Sequence, residues 1–388
     1  MQSSERPLSG TEVRYHRVEG LAPTAGREVE DDRTWARLLA SPEPLHALRL
    51  QGLDLTRHRE QLLARDDLED IVVLGGELDR EVERHLRRHG AIIFPSVPRA
   101  PVDPYRARLY TPQELYAGLE EGGYDSTVDA RAYRWFEDAT VRHDAYVTAL
   151  RAIHDDAMSD ALTALLEDRR VVGIMGGHAL RRGTPEFAEA ALLGHRVARS
   201  GALVLTGGGP GAMEAANLGA WAVDEEVLAA ALDAVAQVPE FVPDIEAWVR
   251  PALALRSGAV PSPKGLRSVG IPTWYYGHEP PNAFAQLVAK FFSNALREDL
   301  LLAHSRGGLV VLPGAAGTVQ EVFQMATRLY YEVDGPDVLP PLVLVGREHW
   351  TERLPVEPLL RALGSGRPMA GALHLVDSVE EAADVVTT

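Results

Sequence analysis

The chain has 388 residues, of which 46% are hydrophobic and 24% are charged, a composition typical of a globular protein with a buried core. This composition excludes disordered and fibrous proteins. Basic residues number 39 and acidic residues 56, which gives a formal charge of −17. That balance argues against a nucleic acid polymer as a partner, because binding such a polymer requires a basic face. Cysteine is absent, which excludes disulfides, a thiolate nucleophile and a Cys-based zinc site.

The amino-terminal region predicts neither a signal peptide nor a membrane anchor. Its first residues contain no apolar segment, and no apolar run approaches the roughly 20 residues that span a bilayer. We therefore expect no membrane partner and a cytoplasmic location. Residues 1–45 are polar, with scattered proline and glycine and no clear period, which predicts a loosely ordered arm.

Residues 46–165 are predicted to form a small α/β region. An apolar strand, a helix with apolar residues at every fourth position and a second strand together predict a β-α-β unit. The predicted elements are strand 71–75, helix 77–88 and strand 91–95. Residues 96–128 predict a loop with short helix. Residues 129–167 predict a long, broken helical stretch, with the domain boundary inside it or just after it.

Residues 166–388 alternate regularly between apolar strands and helices. The predicted strands are 171–175, 202–206, 268–272, 308–312, 342–346 and 373–376, and the predicted helices are 185–199, one beginning near 212, 282–304 and 318–331. This order predicts an α/β fold with a doubly wound, mostly parallel, Rossmann-like sheet and a smaller N-terminal α/β extension. Ligands of such sheets bind at the carboxyl ends of the strands. Residues 222–266 break the alternation and predict an insertion over the site or a subunit contact.

The first candidate motif is a glycine-rich turn at residues 206–214, Thr-Gly-Gly-Gly-Pro-Gly-Ala-Met-Glu. Glycines let the chain turn sharply into a helix, whose first N–H groups attract a phosphate or carboxylate. The candidate anion-binding residues are Gly208, Gly209, Gly211 and Glu214. A tight turn without a ligand is the alternative. Residues 207–212 also fit a dinucleotide fingerprint, but no strand ending in an acidic residue follows about 20 residues later, as ribose recognition requires.

The second candidate motif spans residues 313–321, Pro-Gly-Ala-Ala-Gly-Thr-Val-Gln-Glu. Gly314, Gly317 and Thr318 would offer N–H groups and a hydroxyl to an anion. Glu321 is the candidate catalytic carboxylate. The same residues also fit a capping box, in which Glu321 only bonds back to the start of its own helix.

Arg297 is the third candidate, on the helix before the second motif. On local sequence alone it is equally a solvated arginine paired with Glu298 or Asp299. Gly176 and Gly177 follow the first strand of this domain and add a further turn. Two anion-holding loops with one nearby carboxylate suggest a phosphorylated small molecule and a hydrolytic or transfer step. No cofactor motif and no metal motif is present.

Several of these motifs resemble the LOG family. Residues 206–220 closely resemble its phosphate loop, residues 313–321 resemble its Pro-Gly-Gly-x-Gly-Thr-x-x-Glu signature, and Arg297 resembles its catalytic arginine on the preceding helix. Residues 176–178 (Gly-Gly-His) and 279–282 (Glu-Pro-Pro-Asn) are similar to the longer bacterial nucleotide 5′-monophosphate nucleosidases of this superfamily.

The resemblance implies hydrolysis of nucleoside 5′-monophosphates to free base and ribose 5-phosphate. It also implies that the chain forms a homodimer or a larger homo-oligomer. It further implies the following roles: Gly209, Gly211, Gly317 and Thr318 line the phosphate and ribose, and Arg297 and Glu321 are catalytic. His178 and Glu279 are candidates for protonating the base, and a structural turn histidine is the alternative for His178. The sequence departs from the family at Ala315, which replaces a glycine, and at Glu298, where the family often has lysine. The methyl group of Ala315 would either crowd the approach of the backbone to phosphate or demand a negative φ.

Three other functions are alternatives. A non-catalytic nucleotide-binding protein is favoured by Ala315 and Glu298. An NAD-linked oxidoreductase lacks the ribose-binding acid. A lysine decarboxylase would need pyridoxal phosphate on a lysine, and Lys264 and Lys290 lie in neither glycine loop.

Overall fold

The structure is a computed structural model that describes residues 28–258, 263–277, 279–332 and 339–388. The described residues form two compact units, one ending at Ser96 and one beginning at Val97. Residues 1–27 of the predicted arm lie outside the described residues.

The secondary structure of the described residues alternates between strands and helices. The strands are β1 (Glu28–Val29), β2 (Arg49–Gln51), β3 (Val72–Leu74), β4 (Ile92–Phe94), β5 (Val171–Met175), β6 (Leu203–Thr206), β7 (Ser268–Gly270), β8 (Leu287–Val288), β9 (Leu309–Val311), β10 (Leu342–Val345) and β11 (Leu373–Val376). The helices are α1 (Asp32–Ala40), α2 (Arg59–Leu63), α3 (Arg80–Arg88), α4 (Pro112–Leu115), α5 (Leu119–Gly122), α6 (Val128–Glu137), α7 (Ala145–Leu166), α8 (Pro185–Arg199), α9 (Ala212–Trp221), α10 (Glu225–Val235), α11 (Ile245–Ser257), α12 (Asn294–His304), α13 (Ala316–Tyr331), α14 (Val356–Gly364), α15 (Met369–Ala372) and α16 (Val379–Thr387).

The first unit contains a four-stranded parallel sheet in the order β1-β2-β3-β4. Parallel neighbours need crossover connections, and α1, α2 and α3 supply them. Trp35, Leu50, Leu62 and Leu86 are fully buried in its core. The β-α-β unit predicted at residues 71–95 is confirmed as β3, α3 and β4.

Residues 28–45 correct the expectation of a loosely ordered arm. Helix α1 begins after Asp31, whose carboxylate accepts a hydrogen bond from the Thr34 N–H (2.9 Å). Trp35 and Leu39 pack into the core of the first unit. The sequence concealed this helix because its two buried side chains stand among polar and charged residues, which leaves little visible periodicity.

The second unit contains a seven-stranded parallel sheet in the order β11-β10-β9-β5-β6-β7-β8. From β5 the chain proceeds outward through β6, β7 and β8, and then returns to place β9 on the other side of β5. The strand order therefore reverses at β5, and a crevice forms at the carboxyl ends there. This topology confirms the predicted doubly wound α/β fold.

The central strands are apolar along their whole length because helices cover both faces of the sheet. Val172 and Ile174 of β5 point into the core that includes α8 and α9. Val171 and Met175, at alternate positions, point into the opposite core, which includes α7, α12 and α13. A continuous apolar strand that ends in glycine is therefore the expected sequence at the centre of this sheet.

Residues 97–166 belong to the second unit, so the structure divides the chain after residue 96, whereas the sequence analysis placed the boundary near residue 165. Met158 and Leu162 of α7 share a core with the strands of the large sheet. Asp129 of α6 forms a buried ion pair with Lys290 (2.6 Å) and accepts a hydrogen bond from the Trp274 indole N–H (2.8 Å). These contacts are long-range, and helical periodicity gives no sign of them.

Two predicted segments differ from the structure. The helix predicted at residues 282–304 begins only at Asn294. Ser293 is its N-cap, and its side chain accepts a hydrogen bond from the Leu296 N–H. The residues before it form an extended segment that contains β8. Residues 222–266 contain α10 and α11, which begin at capping aspartates Asp224 and Asp244.

Helices α8 and α9 approach so closely that two positions admit only glycine. A Cβ at Gly194 would collide with the carbonyl oxygen of Ala216, and a Cβ at Gly219 would collide with that of Ala191. The His195 ring is also hydrogen-bonded to the Gly219 carbonyl (3.1 Å). This contact, which we call the glycine seam, fixes α9 against α8.

Among the described residues, no helix has both the length and the apolar character needed to cross a membrane.

Candidate functional site

The turn after β6 requires glycine at two positions. Gly208 (φ +72°) and Gly211 (φ +74°) adopt the left-handed conformation that side chains disfavour. A Cβ at Gly208 would also collide with Pro272, and a Cβ at Gly211 would collide with the carbonyl oxygens of Gly177 and His178. The close approach of these loops therefore depends on the absence of side chains.

A buried polar network holds this turn in place. Asn282 donates from Nδ2 to the Gly209 carbonyl (3.0 Å) and to Asn217 Oδ1 (2.9 Å), and its N–H donates to the Gly208 carbonyl (2.8 Å). The Thr206 hydroxyl donates to Asn217 Oδ1 (2.8 Å). No local sequence pattern predicts this role for Asn217 or Asn282, although Asn282 ends the Glu-Pro-Pro-Asn motif.

The three predicted loops meet at the carboxyl edge of the sheet. The Gly177 N–H, after β5, donates to the Pro313 carbonyl after β9 (3.1 Å). The Gly177 carbonyl accepts from the Ala212 N–H at the start of α9 (3.1 Å). Gly176 admits no Cβ, because that atom would collide with Ala212 and Leu312. The residues after β5 thus link the two anion-binding candidates.

Helices α9 and α13 begin here without side-chain caps. Their N-cap residues, Gly211 and Ala315, provide no side-chain hydrogen bond. Ten other helices in the described part of the chain begin at Asp, Ser or Thr caps that do provide one. Uncapped N–H groups and the positive end of the helix dipole can therefore bind an anion.

The start of α13 has the open surface that an anion would need. A Cβ added at Gly317 would have no other atom within 4 Å, so the surface at this glycine is open. Gly314, in contrast, packs against the Thr318 side chain. Ala315 has φ −115°, so the substitution for the family glycine introduces no backbone strain.

Arg297 and Glu321 form a buried ion pair beside this edge. Arg297 Nη1 donates to Glu321 Oε1 (3.1 Å), and Nε donates to the Ile271 carbonyl (2.9 Å). Arg297 is only 7% exposed, and its guanidinium packs against Gly207. Two sequence alternatives are therefore wrong, since Arg297 is not a solvated arginine and Glu321 does not close a capping box.

The environment of Glu321 raises its pKa. Burial is the main cause and brings the pKa to about 7; the charges of Glu298 and Glu279 add to the increase, and Arg297 opposes it. At neutral pH this carboxyl is divided between its protonated and ionised forms. Such a group can exchange protons with a substrate or with water.

This pKa predicts how stability depends on pH. The folded chain retains a proton on Glu321 that the unfolded chain, with a pKa near 4.5, releases. The stabilisation from that proton is present below pH 4.5 and is lost as the pH rises to about 7. Denaturant unfolding of the parent chain and of Glu321→Gln is measured at pH 5 and at pH 8. The free energy of unfolding of the parent minus that of the variant should be about 2–3 kcal/mol lower at pH 8 than at pH 5. A difference independent of pH would contradict the assignment.

Glu298 is a second buried carboxylate beside Arg297. It accepts hydrogen bonds from the side-chain amides of Asn294 (2.7 Å), Gln320 (2.8 Å) and Gln324 (3.2 Å). The position where the family often has lysine therefore carries a negative charge that neutral donors hold in place.

His178 and Glu279 meet above the first glycine turn. His178 Nδ1 lies 3.4 Å from Glu279 Oε1, and Glu279 lies close to Gly209. Half of the His178 side chain is exposed, whereas Glu279 is largely buried. The two sequence candidates for protonating a base are thus side by side.

Glu214, predicted to bind the ligand, is engaged in a buried ion pair with Arg182. Arg182 Nε lies 3.1 Å from both carboxylate oxygens, and Nη2 also donates to Oε1. Arg182 Nη1 donates to the carbonyls of Val238 and Trp248. Burial raises the pKa of Glu214, and Arg182 opposes that change. The sequence analysis missed Arg182, because no local pattern marks it.

A further buried group positions the helix that carries Arg297. The Asp155 carboxylate accepts hydrogen bonds from the N–H groups of Phe292 (2.9 Å) and Ser293 (2.7 Å), immediately before α12. His154 is hydrogen-bonded to Asp155 (3.1 Å). Helix α7, far away in the sequence, therefore fixes the start of α12.

The fold and this site define the class of protein: a doubly wound α/β protein with two helix N-termini that lack side-chain caps and a buried Arg–Glu pair at the switch point of its sheet. Residues 169–228 match the model of the SLOG cluster4 family, whose superfamily includes the LOG family. The resemblance found in the sequence is thus confirmed over the first glycine turn and its flanking strands and helices.

Solved structures with similarity to the chain include two proteins that bind or carry the molybdenum cofactor. The molybdenum cofactor binding protein from the phototrophic bacterium Rippkaea orientalis is 18% identical, and the match covers 57% of this chain and 96% of that protein with a TM-score of 0.35. The molybdenum cofactor carrier protein from Chlamydomonas reinhardtii is 19% identical, with 56% and 96% covered and a TM-score of 0.35. No curated protein matches the chain significantly.

Proposed function

We propose that the chain binds nucleoside 5′-monophosphates and hydrolyses their N-glycosidic bond to free base and ribose 5-phosphate. The observation that carries this proposal is the buried pair of Arg297 and Glu321, 3.1 Å apart, next to two uncapped helix N-termini. A carboxyl group that only capped its helix would not need an arginine partner.

The phosphate would bind at the glycine turns. The starts of α9 and α13 lie at the same edge, because the Gly177 backbone joins the two loops. The Ala212 N–H already donates to the Gly177 carbonyl, so the phosphate would bind the N–H groups that follow it in α9 and those at the start of α13. Thr318 adds a hydroxyl group in the first turn of α13. Helix N-termini bind phosphate through such groups without a lysine, which suits a chain with a net negative charge.

The ribose would then lie over the Arg297–Glu321 pair. The bond between C1′ and the base nitrogen breaks with its electron pair leaving on the base, and C1′ passes through an oxocarbenium-like state. The ionised form of Glu321 stabilises this positive charge and accepts a proton from the attacking water. The water oxygen bonds to C1′, and the departing base receives a proton, for which the His178–Glu279 pair beside Gly209 is the candidate donor.

The test is product analysis. The chain is incubated with AMP, CMP and GMP, and free base and ribose 5-phosphate are measured by chromatography. Release of base in equal amounts with ribose 5-phosphate supports the proposal. No release from any of the three, at enzyme concentrations near the substrate concentration, would refute hydrolysis.

Binding without catalysis is a second candidate, and Glu298 favours it. A buried negative charge in place of a family lysine reduces the positive field near a developing anion. This candidate predicts that AMP raises the melting temperature while no base is released over hours.

A further inference from the structure

Three aromatic residues follow β7, and their environments differ. Trp274 is buried and donates its indole N–H to Asp129. Tyr275 is 56% exposed and contacts Tyr276 edge-on, with 5.2 Å between ring centroids. Tyr276 is 37% exposed. Both tyrosines are therefore accessible to a ligand. Their positions relative to the candidate site determine which of them could contact a ligand bound there.

Tyr276 is hydrogen-bonded to α12, the helix that carries Arg297. Its hydroxyl oxygen accepts a hydrogen bond from Asn294 Nδ2 (3.3 Å), and the same amide group donates to Glu298 Oε1 (2.7 Å). Glu298 follows Arg297 on α12. The Tyr276 hydroxyl is thus anchored at the helix that carries the arginine.

Tyr276 also connects to the opposite side of the site. Its carbonyl accepts a hydrogen bond from the Glu279 N–H (2.8 Å), and Glu279 lies beside Gly209 of the first turn. Burial raises the pKa of the Tyr276 hydroxyl; the charges of Glu298 and Glu279 add to the increase, and Arg297 opposes it. The Tyr275 ring, in contrast, lies toward Phe136 of α6, with 6.5 Å between centroids.

We infer that the base of a nucleoside 5′-monophosphate stacks on the ring of Tyr276, which is 37% exposed. This inference rests on the proposed function and names the part of the substrate that one residue recognises. A phosphate at the glycine turns and a ribose over Glu321 leave the base to extend toward this ring. Every base has a π face, so an aromatic platform of this kind holds purines and pyrimidines alike.

The test compares a ligand that has a base with one that lacks it. AMP and ribose 5-phosphate are titrated calorimetrically into Glu321→Gln protein, which prevents turnover, with Tyr276 intact or changed to Ala or Phe. Tyr276→Ala should weaken AMP binding about tenfold or more and change ribose 5-phosphate binding less than twofold. Tyr276→Phe should bind AMP like the parent. Tyr331→Ala, at an exposed tyrosine near the end of α13, is the matched control and should change neither.

Each outcome separates this inference from the proposed function. Equal losses for both ligands, unchanged AMP binding in Tyr276→Ala, or binding of neither ligand would overturn the stacking role. Base release by the wild-type chain is measured in parallel. If base is released while Tyr276→Ala leaves AMP binding intact, hydrolysis stands and only the platform is wrong.

Discussion

Changing Glu321 to glutamine is expected to lower kcat for release of base from the best nucleoside 5′-monophosphate by roughly 10²–10³-fold or more. Glutamine retains the size and an oxygen that can accept from Arg297, so the helix and the pocket are preserved. It cannot carry the negative charge that stabilises an oxocarbenium-like state or take a proton from water. The measurement is initial rate by chromatography at saturating substrate, which reports kcat separately from KM.

The matched control is Glu332→Gln, the same chemical change at the exposed C-cap of the same helix. It should leave kcat within twofold of the parent. Arg297→Ala should also lower kcat/KM strongly, because it leaves Glu321 buried without its partner. If Glu321→Gln and Arg297→Ala both match the parent chain on its best substrate, the pair is not the catalytic centre.

The largest effect on stability is expected at Arg182. Arg182→Met should lower the free energy of unfolding by about 3–5 kcal/mol, because it leaves the Glu214 carboxyl buried without its cationic partner. It also leaves the carbonyls of Val238 and Trp248 without the donor that Arg182 provides. For a unit of this size the melting temperature should fall by about 10 °C, as differential scanning calorimetry would show.

The neighbouring Arg181 provides a control of the same residue type. Its ion pair with Glu240 (2.6 Å) is more than half exposed, and such pairs contribute roughly 0–1 kcal/mol. Arg181→Met should therefore leave the melting temperature almost unchanged. The double variant Arg182→Met with Glu214→Met should recover much of the loss, since no charge stays buried alone. Equal melting temperatures for the Arg181 and Arg182 variants would contradict the buried-pair argument.

The sequence predicts the centre of the fold well, for a physical reason. Strands β5, β6, β9 and β10 are buried on both faces, so each is apolar apart from Thr206 at the end of β6. Three of the four are followed directly by glycine. Helix α13 follows a clear apolar period. Two elements have too few apolar residues for a hydrophobic period to be recognised. Strand β8 has only two residues, and α1 has only two buried apolar side chains.

The sequence predicts only part of the candidate site. Thr-x-x-Glu at residues 318–321 is compatible with a capping box and with a catalytic carboxylate, and only the contact from Arg297 distinguishes them. Glu214 sits in a glycine-rich motif, yet its partner Arg182 lies 32 residues earlier in a segment without a pattern. Ion pairs between distant segments depend on tertiary packing, which periodicity does not encode.

The glycine seam determines which part of the site can adjust to a ligand. Because backbone touches backbone at Gly194 and Gly219, α9 cannot slide along α8 without a steric collision. The glycine-rich turn before α9 is therefore held in a fixed position. Helices α12 and α13 meet through long side chains, such as Glu298 with Gln320 and Gln324, which can shift by rotamer changes. We expect α12 and α13 to move toward a bound molecule and to move back when that molecule leaves.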